Sequence, residues 1–264
     1  MKIALAQFTA TIDPQHNLRQ VRDGIAQAAQ AGARLIVFPE AMICAFSRPR
    51  IDIAEPLAGP WAGAVRQSAA EAGIAVVVGT FTPGSGDKVR NTLLITGPGL
   101  DAHYDKLHLF DAYGYRESDQ IEPGGQLVTF AWDGVTFGVA TCFDIRFPAM
   151  FTELARAGAE VIVVPTSWAR GPGKVQQWQV LVPARALDST SVVLGVGQAL
   201  PAQSDGSSPT GVGHSIVAGP LGEVLLELGE GPVLAFFDLD PDVVQAAREK
   251  LPVLANNRFV EQLV

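Results

Sequence analysis

Val139-Ala140-Thr141-Cys142-Phe143-Asp144-Ile145-Arg146-Phe147-Pro148 decides how the rest of the chain is read. An apolar, strand-like run ends at a thiol, and a proline follows where a helix can start. Two similar strand ends lie upstream. Leu35-Ile36-Val37-Phe38-Pro39 delivers Glu40, and Tyr104-Asp105 delivers Lys106. A thiol, a carboxylate and an ammonium at strand exits can make a cysteine hydrolase. Strands hold such groups rigidly while the loops beyond leave room for a substrate.

Strands and helices alternate outward from this stretch. Lys2–Phe8 reads as a buried strand. Leu18, Val21, Ile25 and Ala28 then recur at helical spacing, with Gly32 as a stop. Arg34–Phe38 is a short strand, and Trp61–Ala72 is a helix closed by Gly73. Ile74–Phe81 and Asn91–Thr96 are strands on either side of the turn-forming Pro83-Gly84-Ser85-Gly86-Asp87. In the second half, Gln126–Phe130 and Val135–Ala140 flank Asp133-Gly134, a hairpin signal. Phe147–Ala157 is predicted helical. Glu160–Val164 is a buried strand ending at Pro165-Thr166-Ser167-Trp168. Gln176–Asp188 is a helix that Pro183 should kink or interrupt. Ser191–Gln198, His214–Ala218, Glu223–Leu228 and Val233–Leu239 are later strands, and Asp242–Lys250 is a surface helix. The Gly/Pro/Ser-rich Pro201–Gly213 lies between strands and reads as a loop. No linker divides the chain, so a single domain over residues 1–264 is expected. The shared β-α-β rhythm of its halves points to a pseudo-symmetric pair of sheets. Short, nearly continuous apolar strands belong to sheets covered by helices, an α/β class.

A formal charge of -8 with no Lys/Arg block argues against a nucleic-acid or anionic-membrane partner. Cys44 and Cys142 make no disulfide framework, which suits a reducing compartment. The N-terminus turns polar too soon for a signal peptide, and no apolar stretch is long enough to span a bilayer. A cytoplasmic protein is expected.

Taken singly, each candidate has an ordinary explanation. A buried cysteine is usually a small core hydrophobe, a loop glutamate is usually solvated, and a lysine is usually a surface charge. Cys142 departs from this by standing at a strand end before a helix start, where a nearby cation would favour its reactive thiolate. Partial burial would raise Glu40 toward the neutral range that a general base needs. Lys106, between aromatic and apolar neighbours, could aim an ammonium at a developing oxyanion. His103, His108 and His214 suit hydrogen-bonded or surface roles, and Cys44 is a bystander. No His-x-x-x-His or Cys-x-x-Cys supports a metal site, and Gly84-Ser85-Gly86 lacks the lysine of a phosphate loop.

In order and together, Leu35–Glu40, Tyr104–Phe110 and Thr141–Pro148 resemble the three signature segments of the nitrilase superfamily of carbon–nitrogen hydrolases. The likeness runs from Ala4-Leu5-Ala6-Gln7 to Pro252. It implies Glu40 as general base, Lys106 as oxyanion stabiliser and Cys142 as nucleophile. It also implies Glu117, ahead of Pro123-Gly124, as the second family glutamate. The implied fold is a four-layer-forming α-β-β-α sandwich whose subunits pair into a homodimer or higher homo-oligomer. The implied reaction forms a thioester with the backbone N–H of Phe143 in the oxyanion site, without cofactor or metal, on a small-molecule amide. True nitrilases typically carry Cys-Trp-Glu. Cys142-Phe143-Asp144 is more similar to the ω-amidase and deaminated-glutathione-amidase branch, which implies small aliphatic carboxamides, ω-amides of keto or dicarboxylic acids among them. Ala149-Met150 departs from that branch's glutamate after Phe-Pro. Arg146 is then either a carboxylate anchor or a structural salt-bridge partner. Phe143, Trp168 and Tyr113, with Phe46 and Gln198, are candidates for the pocket wall. N-carbamoyl amino acid hydrolysis, nitrile hydrolysis and a catalytically silent scaffold of the same fold are the competing readings.

Overall fold

In the computed structural model, which describes residues 1–47, 49–201, 211–240 and 242–258, strand alternation separates two cores. The elements in chain order are β1 (Lys2–Gln7), α1 (Pro14–Gln30), β2 (Leu35–Val37), α2 (Pro60–Ala72), β3 (Ala75–Pro83), β4 (Val89–Gly97), β5 (Leu100–Asp105), β6 (Asp111–Ala112) and β7 (Tyr115–Arg116). They continue as β8 (Thr129–Trp132), β9 (Val135–Val139), α3 (Pro148–Arg156), β10 (Val161–Thr166), α4 (Lys174–Ser189), β11 (Val192–Gly197), β12 (Ile216–Ala218), β13 (Val224–Glu227), β14 (Val233–Asp238), α5 (Asp242–Lys250) and α6 (Val253–Asn256). Ile3 and Leu5 of β1 pack with the second sheet, while Ala4 and Ala6 pack under α1 and α2 with Val21, Ile25, Trp61 and Val65. The two-residue period of a strand puts alternate side chains on opposite faces, so β1 can be apolar throughout.

Two six-stranded sheets result, ordered β14-β1-β2-β3-β4-β5 and β8-β9-β10-β11-β12-β13. Read in those directions, both follow the same sequence of pairings: antiparallel, parallel, parallel, antiparallel, antiparallel. The expected pseudo-symmetry is therefore real, and β2 and β10 occupy equivalent central places. With α1 and α2 on one sheet and α3 and α4 on the other, the layers are α-β-β-α.

Local signals explain most boundaries. Asp13 caps α1 by accepting from the Gln15 N–H at 2.9 Å. Gly73 ends α2 in the left-handed conformation. Asp133 and Gly134 both take positive φ in the β8–β9 turn, as a two-residue hairpin requires. Of the kink or break expected at Pro183, the structure excludes the break: α4 runs through it. The proline removes one donor, but Trp178, Val182 and Ala186 bury on both sides of it and hold the helix to its sheet. Residues 202–210 of the loop read at Pro201–Gly213 lie outside the described residues. No helix among the described residues is long and apolar enough to cross a membrane.

Candidate active site

The exit of β2 sets Glu40. The Phe38 N–H donates to the Val77 carbonyl at 2.8 Å, which extends the parallel pairing one residue past the strand. Ala41 then turns the chain at φ 58°. The turn lies directly on Gly79 of β3, where a Cβ would stand 2.3 Å from the Ala41 nitrogen and 2.7 Å from the Glu40 Cα. Only a glycine admits that approach. Gly79→Ala is expected to displace Glu40 and to lower kcat/KM about 10²-fold, since a misplacement of order 1 Å is enough for that. Steady-state kinetics on a purified, folded variant would check it, and unchanged kinetics would disprove the positioning role.

Glu40 is buried, and each of its carboxylate oxygens is occupied. Oε1 accepts from Asn91 Nδ2 at 2.8 Å and from Lys106 Nζ at 3.2 Å, and Oε2 accepts from the Ser167 N–H at 2.8 Å. From behind, Gln198 Nε2 donates to the Glu40 carbonyl at 2.8 Å. Gln198 thus belongs to the support of the Glu40 turn, and the expectation that it forms pocket wall is corrected.

Lys106 follows β5 and is fully buried with Glu117. Its ammonium donates to Glu117 Oε2 at 2.8 Å as well as to Glu40. Burial alone would lower the Lys106 pKa, but the two carboxylates outweigh it and hold the ammonium well above the ordinary lysine value. Burial likewise pushes Glu117 up, while the Lys106 charge and hydrogen bond bring it below the ordinary carboxylate value. The Phe110 N–H adds a bond to Glu117 Oε2 at 2.6 Å. Gly124 closes this corner by donating to the Lys106 carbonyl at 2.9 Å. A Cβ there would meet the Asp105 carbonyl oxygen at 2.1 Å, which gives the Pro123-Gly124 pair its physical meaning.

Cys142 opens a short 3₁₀ turn over Cys142–Arg146 and takes φ 48°, a conformation non-glycine residues seldom adopt. The helix predicted from Phe147 begins at Pro148, so this turn stands between thiol and helix. Asp144, fully buried, holds the turn in place. It accepts from the Thr141 N–H at 2.8 Å, the Tyr104 hydroxyl at 2.7 Å and the His108 N–H at 2.9 Å. One carboxylate therefore ties the cysteine turn to the residues flanking Lys106. A glutamate, one methylene longer, would shift one loop against the other. The thiol points toward the Ser167 carbonyl at 4.0 Å. Burial, then the Glu40 charge, push its pKa up, against the opposing pull of Lys106. At neutral pH it rests as a thiol, so attack requires a base acting with it.

These groups form the floor of a cleft of about 680 Å³ including its open mouth. Phe46, Phe110, Tyr115, Phe143 and Trp168 make an aromatic wall, with Arg50 and Lys174 among them. The structure thus brings Glu40, Lys106, Glu117 and Cys142 together, with Phe143, Trp168 and Phe46 beside them. Arg146 and Tyr113 do not line the cleft. The Arg146 guanidinium donates to Gln177 Oε1 at 2.6 Å and lies 5.1 Å from the Trp168 ring. Tyr113, 75% exposed, stands outside Phe110 and Lys174. Cys44 is buried under α1, its thiol toward the Ile12 carbonyl at 3.5 Å, and plays no part in the cleft. Sequence reasoning missed Asn91, Ser167, Arg50 and Lys174. Of these only Asn91 carried a local signal, a polar residue at a buried strand position.

Residues 2–249 match the Carbon-nitrogen hydrolase family. A hydrolase of Mycobacterium tuberculosis is 50% identical over 273 residues, covering 100% of this chain and 98% of the relative. The deaminated glutathione amidase of Escherichia coli O157:H7 is 30% identical over 264 residues, covering 98% of both. Among solved structures, the amidase from Nesterenkonia sp. AN1, seen with acrylamide added at its active-site cysteine, superposes with a TM-score of 0.77 at 30% identity, covering 96% of this chain and 98% of that one.

Proposed function

Because the chain belongs to the carbon–nitrogen hydrolases of the nitrilase superfamily, we propose that it is an amidase of small aliphatic carboxamides working through a Cys142 thioester. The observation that carries this reading is the convergence of Glu40, Lys106, Glu117 and Cys142 from separate strand exits onto the floor of one aromatic cleft. A cleft of this size fits a small molecule.

Glu40 takes the thiol proton as Sγ attacks the amide carbon. The carbonyl oxygen gathers negative charge, and Lys106 Nζ with the Phe143 N–H stabilise it. Lys106 suits that role because its pKa is raised, so the ammonium stays charged through the cycle. Glu117 keeps Lys106 charged and aimed. The proton on Glu40 passes to the leaving nitrogen, the C–N bond breaks and ammonia departs. Glu40 then takes a proton from water, hydroxide adds to the thioester, and the C–S bond breaks to release the acid as Glu40 returns that proton to the leaving Sγ and restores the thiol. No atom is left over and no oxidant or reductant enters.

Asp144, fitted between its three donors without spare length, supports the amide branch over a Cys-Trp-Glu nitrilase. Ammonia release from propionamide, a short α-keto acid monoamide, an N-carbamoyl amino acid and the matching nitriles tests the assignment. Turnover of the amides is expected to dominate. Carbon dioxide appearing with the ammonia from the carbamoyl compound as the best substrate, or nitriles turning over as fast as amides, would overturn it.

A further inference from the structure

Lys174 is a cleft-lining cation that the chemistry above leaves unused. It is the first residue of α4, set there by Gly171-Pro172-Gly173, with Gly173 at φ 70°. Trp168 Nε1 donates to the Lys174 carbonyl at 2.8 Å and locks the backbone. The ammonium lies 4.4 Å from the Tyr113 ring centre and 5.3 Å from those of Phe110 and Trp168. The residue is only 9% exposed, yet among the described residues its ammonium has no hydrogen-bond acceptor and no ion-pair partner. Ring faces offset only part of the cost of drawing a charge out of water.

The surroundings add positive potential. Arg146 lies against the same indole, and the start of α4 has no acidic residue in its first turn and no side-chain cap. Burial first, then the Arg146 charge, hold the Lys174 pKa below the ordinary lysine value. The two carboxylates in the cleft, Glu40 and Glu117, are committed to Lys106. Arg50 donates to Gln120 Oε1 and the Tyr115 hydroxyl, each at 2.6 Å, which fixes its two terminal nitrogens deeper in the wall, while its Nε has no acceptor among the described residues. In a chain of net charge -8, the cleft wall therefore presents, beside Arg50, a Lys174 ammonium open to the cleft and without a counter-ion among the described residues.

We propose that Lys174 is the specificity-determining cation of this cleft and binds a carboxylate at the end of the substrate opposite the scissile amide. The substrate class is then the ω-amide of a carboxylic acid, with the amide on Cys142 and the acid on Lys174 at the α4 N-terminus. This deepens the amidase reading and rests on it. It also moves the anchor from Arg146, whose guanidinium is held by Gln177 off the cleft wall, to a residue outside the three signature segments.

The test compares kcat/KM for succinamate with that for its methyl ester, which removes the charge and keeps the length. The wild type should favour succinamate. Lys174→Gln should cut the succinamate-to-ester ratio by roughly 10–100-fold, the worth of one hydrogen bond to a charged group, mainly through KM. Lys174→Arg should keep most of it. An unchanged ratio in Lys174→Gln, or a wild type that prefers the ester, would overturn the assignment while leaving an amidase. Ammonia from neither compound would instead count against the amidase reading. The anion site is then read directly, by calorimetric titration of succinamate into Cys142→Ala with and without Lys174→Gln. Weaker binding in the double variant supports it, and equal binding refutes it.

Discussion

Cys142→Ala is expected to abolish ammonia release, a loss on the order of 10⁵–10⁶ in kcat, the scale seen when the nucleophile of a cooperating catalytic unit is removed. The fold should survive, because the turn that carries the thiol is held by Asp144 rather than by the thiol's long contact to Ser167. A more discriminating result comes from Glu40→Gln. Glu40 pushes the Cys142 pKa up, so removing its charge should bring thiol ionisation to lower pH. Alkylation by iodoacetamide would then be faster than in the wild type at a given pH below the wild-type thiol pKa. Amide turnover should nevertheless fall by about 10²–10⁴-fold, because proton transfer has lost its base. A more reactive thiol in a less active enzyme is a signature that a purely electrostatic or structural Glu40 would not leave. Parallel changes in alkylation and turnover would disprove the base assignment.

What could be read from the chain follows sequence distance. Glu40, Lys106, Glu117 and Cys142 sit in local patterns, a strand run followed by a charged or nucleophilic residue, and those patterns survive folding as strand exits. The two-sheet arrangement was legible for a related reason: each half carries its own β-α-β rhythm. The supports of the site were not legible. Ser167 and Gln198 reach Glu40 from 127 and 158 residues away, through the face-to-face packing of the two sheets, which no local pattern encodes. Asp144 was visible as part of a motif, but its meaning as a junction depends on Tyr104 and His108 lying beside it in space. Lys174 follows Gly171-Pro172-Gly173 with no motif around it, and only the aromatic rings beside it in space mark it out. At Pro183 the local rule was overridden by packing, since burial of Trp178 and Val182 outweighs one missing hydrogen bond.

Lys106→Met should both stop catalysis and destabilise the fold, and the second effect carries its own pH signature. In the wild type Lys106 stands between Glu40 and Glu117, with 3.2 and 2.8 Å contacts, all three residues at least 97% buried. Methionine fills similar space but leaves two carboxylates facing each other without a cation. Breaking a buried ion pair from one side typically costs about 3–5 kcal/mol. The sign with pH follows from Glu117. With Lys106 present its folded pKa is depressed, so it contributes stability above its unfolded pKa, and this is lost only as pH falls through the lower folded value. Without Lys106, burial and Glu40 raise it instead. The carboxyl then holds its proton in the folded state, and the penalty grows as pH rises above the unfolded value. Urea unfolding of wild type and variant should therefore converge at acid pH and diverge toward neutral. Adding Glu117→Gln to Lys106→Met removes the second charge and should recover much of the lost stability. It should recover no turnover, because the oxyanion donor is still gone, a loss of at least about 10²–10³-fold on its own. A stability deficit independent of pH, or one that Glu117→Gln deepens, would mean that Lys106 acts by packing rather than by charge.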